Sequence, residues 1–121
     1  MAWLDEKKGI EILEIGKRGE NIFASLKLEK DLDFFNGHFP KIAILPAAAQ
    51  LEIVVALVEK ASATSFRLGK VERVKFGSKV RPGDKLSFRA RFEQEKGRLD
   101  FTLAHGLAKA CSGIIFLEQT K

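Results

Sequence analysis

The sequence predicts an α+β fold: an antiparallel sheet of about six strands wrapped around one long central helix, in a single domain over 1–121. Three observations predict it. Residues 47–61 (AAAQLEIVVALVEKA) hold no Gly or Pro and carry apolar side chains almost all round, so this helix is expected to be buried on nearly every face. Residues 85–93 alternate cleanly, with Leu86, Phe88, Ala90 and Phe92 on one side and Lys85, Ser87, Arg89, Arg91 and Glu93 on the other. Strands with one polar face are the mark of an antiparallel sheet, and only the second half of the last strand signal is apolar on both faces.

Taken in order, Gly9–Ile15 (GIEILEI) is rich in β-branched residues and reads as a first strand. The polar run Lys17–Asn21 is a turn, and Ile22, Ala24, Leu26 and Leu28 then alternate as a second strand, so the two form a hairpin. In the loop after it, Gly37 permits unusual backbone angles and Pro40 restricts Phe39 to extended ones, so His38 is held stiffly. Pro46 suits the first turn of a helix, where a missing N–H is harmless. The helix spans roughly four turns and ends at Ser62–Ser65. Val71–Phe76 is a third strand, Arg81–Asp84 a turn and 85–93 a fourth strand. Glu95–Gly97 is a hairpin turn, followed by alternation at Leu99, Phe101 and Leu103. His105–Gly106 marks a bend, and Ala108–Leu117 closes the chain as a sixth strand.

Composition is that of a globular protein, 45% hydrophobic and 31% charged, with no apolar run near the ~20 residues of a membrane span. The start, MAWLDEKKG, is charged and lacks the apolar core of a signal peptide, and Cys111 is the single cysteine. A reducing cytoplasm is the expected location. The net charge of +5 fits a solvated surface, an acidic protein partner or nucleic acid. Nucleic acid is disfavoured because the cations are spread along the chain and no nucleic-acid-binding motif is present. No Cys/His spacing suggests a metal.

Two residues stand out chemically. Glu52 interrupts the apolar helix, and its helical neighbours Ala48, Ala49, Val55 and Ala56 form a small apolar face. A buried, unpaired carboxyl group favours its neutral form and so suits a proton donor. The plainer alternative is a glutamate that reaches a basic residue or solvent at the helix edge. His38, between Phe35 and Phe39, is either a loop histidine bonded to backbone or a base. N–H groups at the start of the helix suit a negatively charged oxygen. Together these parts fit elimination next to a carbonyl, and equally water activation. His105 reads as a strand-end residue, Cys111 as core, Asp84 as a turn residue and Glu59 as a helix-end residue near the face of Glu52.

The segment FFNGHFPKIAILPAAAQLE resembles the signature of the β-hydroxyacyl-acyl carrier protein dehydratases of the hotdog-fold superfamily. It carries Phe34-Phe35-Asn36-Gly37-His38-Phe39-Pro40, then Pro46 and Gln50, with Glu52 fourteen residues after the histidine. Residues 74–86 (VKFGSKVRPGDKL) resemble that family's strand and Pro-Gly-Asp turn, and the similarity runs over roughly 20–118. Within the group the chain is most similar to the short thioester dehydratases of aryl-polyene-type lipid pathways. The resemblance implies a hotdog fold and a homodimer or higher even oligomer, with His38 of one subunit facing Glu52 of the other. It implies that His38 removes the C2 proton of a 3-hydroxyacyl thioester while Glu52 protonates the departing hydroxyl. Ala47, Phe39 and Pro46 are then the oxyanion and substrate-binding residues. No metal or organic cofactor is implied; the substrate hangs from the phosphopantetheine of an acidic acyl carrier protein, or from CoA. Arg67, Lys70, Lys79 and Arg81 are candidates for docking that carrier. Two departures stand out: Ala47 replaces the family's glycine at the helix start, and Ala43 a proline. An N-terminal helical extension of many housekeeping members is not expected here. An acyl thioesterase and a non-catalytic acyl-binding subunit remain the alternative functions.

Overall fold

The computed structural model describes residues 10–29, 45, 47–81 and 83–120. Among them are six strands and one helix: β1 (Ile10–Arg18), β2 (Asn21–Leu28), α1 (Ala47–Ser62), β3 (Phe66–Phe76), β4 (Lys85–Glu93), β5 (Arg98–His105) and β6 (Ala108–Gln119). The strands form one antiparallel sheet in the order β1-β2-β4-β5-β6-β3. Consecutive hairpins β1–β2, β4–β5 and β5–β6 are neighbours. The connection through α1 instead carries the chain from β2 to the far edge, where β3 pairs with β6.

Alternation explains the core. Ile22, Ala24, Leu26 and Leu28 of β2 are buried, and so are Leu86, Phe88, Ala90 and Phe92 of β4 and Leu99, Phe101 and Leu103 of β5. Register stacks them in rows across the sheet, as in Ala24–Phe88–Leu103. Ile53, Val54, Leu57 and Val58 of α1 are fully buried in the same cluster. Phe66 at the start of β3 meets Phe92 edge-on, with ring centroids 5.2 Å apart. Gly113 of β6 is required by close approach: a Cβ there would overlap the carbonyl oxygen of Arg73 on β3.

The helix departs from the sequence expectation in one respect. It has 16 residues and is not buried on nearly every face. Ala49, Gln50, Ile53, Val54, Ala56, Leu57 and Val58 face the sheet, while Ala47, Ala48 and Glu52 are exposed and Leu51, Val55 and Glu59 are half-buried. A single twisted sheet covers one side of a helix, and the apolar residues of the other side are left open. The edge strand β3 is open too. Its 11 residues are exposed except at Phe66 and Val74, and Leu68, Val71 and Phe76 are large exposed apolar side chains.

Candidate functional site

The start of α1 is fixed by its approach. Leu45 is buried; its N–H donates to the Val80 carbonyl at 2.8 Å, and its carbonyl accepts from Gln50 Nε2 at 3.2 Å. Ala47, the candidate oxyanion residue, is the first helical residue and is exposed. The first N–H groups of any helix lack intrahelical acceptors, so this end carries unsatisfied donors and partial positive charge.

Glu52 lies little more than one turn further on. It is exposed on its own chain. Ala48, Leu51, Glu52, Val55, Ala56 and Glu59 of α1 and Leu68 of β3 line an open groove of about 500 Å³. The walls are largely apolar, and Glu52 and Glu59 are the two carboxylates among those lining residues. They differ in what they touch. Glu59 Oε2 accepts the backbone N–H of Phe66 at 2.8 Å, tying the end of α1 to the start of β3. For Glu52 no such bond is formed among the described residues. His38, Phe39 and Pro46, the other candidates from the sequence, lie outside the described residues.

The four cations proposed for carrier docking divide into two pairs. Arg67 pairs with Glu118 at 3.0 Å, and Lys70 lies 3.9 Å from Glu72 and 6.0 Å from the Phe116 ring centre. Lys79 and Arg81 are exposed in the loop after β3, where the Arg81 N–H donates to Asp84 Oδ2 at 2.8 Å. At about 3.3 Å per residue, the stretch of β3 from Lys70 to Phe76, about 20 Å, lies between the pairs. Only the second pair adjoins the helix start, through Val80 and Leu45.

His105 ends β5, and its Nε2 lies 2.8 Å from Ser78 Oγ. Cys111 is core, and burial pushes its thiol up to about 12. Among the described residues no three His, Cys, Asp or Glu side chains gather as a metal site, and no helix is long and apolar enough to cross a membrane. Sequence reasoning gave no role to Gln50 or Leu68. Leu68 was hidden because β3 does not alternate. Gln50 was hidden because a polar residue on a helix is ordinarily placed outside.

An antiparallel sheet packed on one helix, with a carboxylate on the helix face that the sheet leaves open, defines a hotdog-fold protein. Residues 14–114 match the sequence model of the ApeI-like family, described as ApeI dehydratase. A 3-hydroxyacyl-[acyl-carrier-protein] dehydratase FabZ of Oenococcus oeni is 31% identical over 112 residues, covering 82% of this chain and 79% of that one. The structure of the dehydratase heterocomplex ApeI:P from Xenorhabdus doucetiae superposes with a TM-score of 0.79 at 27% identity, covering 88% of this chain and 96% of that one. An uncharacterised protein from Erwinia carotovora gives a TM-score of 0.74, also at 27% identity, covering 93% and 94%. The chain belongs to the ApeI-like dehydratase family.

Proposed function

We propose that the protein removes water from a 3-hydroxyacyl thioester on an acyl carrier protein, leaving the trans-2-enoyl thioester. The step serves lipid synthesis of the fatty-acid or polyene type, in the cytoplasm. His38 takes the C2 proton as base. The C2 electron pair forms the C2–C3 double bond, the C3–O bond breaks, and Glu52 gives its proton to the hydroxyl, which leaves as water. The Ala47 N–H at the helix start polarises the thioester carbonyl and so stabilises the enolate-like charge. Only protons and electron pairs move, so the chemistry calls for no metal or organic cofactor.

The observation that carries this reading is Glu52: a carboxylate without a partner among the described residues, on an apolar groove sized for an acyl chain. The groove is open on one chain. Beside it runs the edge of β3 that pairs with no other described strand, with Leu68, Val71 and Phe76 exposed. An apolar groove next to a free strand edge is a surface that a second copy covers. A homodimer would bring His38 of the partner to Glu52 and exclude water from the reacting atoms. The acidic carrier docks at the Lys79 and Arg81 end, from which a phosphopantetheine arm reaches the helix start.

The test is a product assay with 3-hydroxyacyl carrier protein, on the wild type and on Glu52→Gln and His38→Ala. Enoyl product from the wild type, reduced about 100-fold or more in each variant, is expected. Release of free thiol without enoyl product would make the protein a thioesterase. No product unless a second, different chain is added would make it a subunit that is inactive alone. Sedimentation as a monomer would remove the shared site.

A further inference from the structure

Gln50 is the one polar side chain fully buried among the described residues, only 4% exposed. Burying a glutamine desolvates an amide and freezes a flexible side chain, so an apolar residue of the same shape is the default at such a position. Its position is therefore explained by what its amide does. Nε2 donates to the Leu45 carbonyl five residues back, while Oε1 is buried with no partner among the described residues.

This bond runs opposite in sense to a capping box. There, a side-chain oxygen near the helix start accepts a backbone N–H and so consumes a donor. Gln50 gives its own donor to a carbonyl ahead of the helix, and in this bond it takes up none of the first-turn N–H groups. The same Leu45 peptide segment is held a second time, through its N–H, by Val80. Val80 belongs to a loop that is itself pinned to the β5–β6 hairpin. Gly77 N–H donates to Ala110, Ser78 N–H to Lys109 at 2.8 Å, and Ser78 Oγ meets His105 Nε2 at 2.8 Å. The backbone that enters α1 is thus fastened to the sheet from one side and to the helix from the other.

We propose that Gln50 is a positioning residue: through the Leu45 carbonyl it fixes the chain entering α1, and so the place of the Ala47 N–H that polarises the thioester. This rests on the dehydratase reading above. A donor aimed at developing charge acts only if it is already in place, and a displacement near 1 Å is enough to lose about 100-fold in rate.

The test uses the full chain with Gln50→Met, which keeps shape but has no amide, and Gln50→Glu. In Gln50→Met the midpoint of thermal unfolding stays within a few degrees of wild type, because a lost hydrogen bond is offset by removal of an unpartnered buried oxygen. Its kcat falls about 10-fold or more while KM changes less than about 3-fold, and hydrogen exchange over 45–48 quickens. In Gln50→Glu the carboxylate repels the Leu45 carbonyl. Its kcat relative to wild type is lowest at about pH 8 and rises towards about pH 6, as a protonated carboxyl regains a donor. A Gln50→Met enzyme with wild-type kcat and exchange overturns the role. So does a loss of kcat that merely follows the unfolded fraction, or a Gln50→Glu ratio flat with pH. A wild type that makes no enoyl product sinks the reaction and with it this role; an active wild type beside an unaffected Gln50→Met sinks the role of Gln50 alone.

Discussion

Glu52 and Glu59 line one groove, seven residues apart on one helix, and their substitution should give opposite phenotypes. Glu59 accepts the Phe66 N–H at 2.8 Å, and Phe66 is buried. Glu59→Ala leaves that N–H without an acceptor and without good access to water. A hydrogen bond to a charged group contributes about 1.5–3 kcal/mol. Against this, Glu59 lies in the last turn of α1, where a negative charge opposes the helix dipole, and its removal returns about 0.3–1 kcal/mol. The net loss is about 0.5–2.7 kcal/mol. For 121 residues the unfolding entropy is about 0.25 kcal/mol/K, so the midpoint should fall by about 2–11 °C. Glu59→Gln keeps an acceptor oxygen and should lose less than about 4 °C with its activity retained. Glu52→Gln touches no described hydrogen bond and removes a charge that a covering subunit would desolvate. The midpoint should therefore not fall, while the dehydration rate falls about 100-fold or more. Thermal unfolding at one fixed protein concentration, beside the enoyl product assay, reads both quantities. A Glu59→Ala midpoint within 1 °C of wild type, or a Glu59→Gln enzyme as inactive as Glu52→Gln, would refute the division of labour.

Ala63 has φ 51°, a left-handed angle just past the end of α1, where Thr64 N–H bonds back to the Glu59 carbonyl. Ala63→Gly relieves about 1–2 kcal/mol of steric cost and loses about 0.4–1 kcal/mol to a more flexible unfolded chain. The net gain is up to about 1.6 kcal/mol, so its thermal midpoint should rise by up to about 6 °C and should not fall. Cys111, with its thiol pushed up from 9.0 to about 12, should resist a thiol reagent at about pH 8 until guanidinium unfolds the protein. The unfolded thiol loses its proton near pH 9 and the folded one keeps it to about 12. Stability is then unaffected by this group below about pH 9, and it falls above that by up to about 1.4 kcal/mol per pH unit. Urea midpoints of wild type and Cys111→Ala should converge as pH rises above 9.

What the sequence revealed depended on how many faces of each element are covered. β4 was legible to the residue, 85–93, because one face is core and the other water. β3 was read only over 71–76, yet runs from Phe66. At the sheet edge both of its faces are open, so no alternation marks its first half. α1 was placed within one residue, but Leu51 and Val55 look the same in sequence whether they face a core or a groove. The apolar side chains around the helix therefore predict burial all round, where the structure leaves a groove. Gln50 failed in the opposite way. Its bond to Leu45 depends on how the chain approaches the helix, which no periodicity encodes. The candidate docking cations, close together in sequence, are parted by the extended second half of β3.

The open face of α1 also resolves a conflict that the sequence posed. A carboxylate on an apolar helix must be hydrated, paired or neutral, and a chain that buried Glu52 within its own core would bear the desolvation of that group on folding. With Glu52 on the uncovered face, a single chain folds around Ile53, Val54, Leu57 and Val58 while the carboxylate keeps its water. Desolvation is deferred until another surface arrives, and its cost then weakens association rather than the fold. Leu51, Val55 and Leu68, the apolar groups of the same groove, offset that cost by burying with it. On the proposed dimer, Glu52→Leu should hold subunits together more tightly than wild type while abolishing dehydration, since the group proposed to carry the chemistry would also oppose the interface.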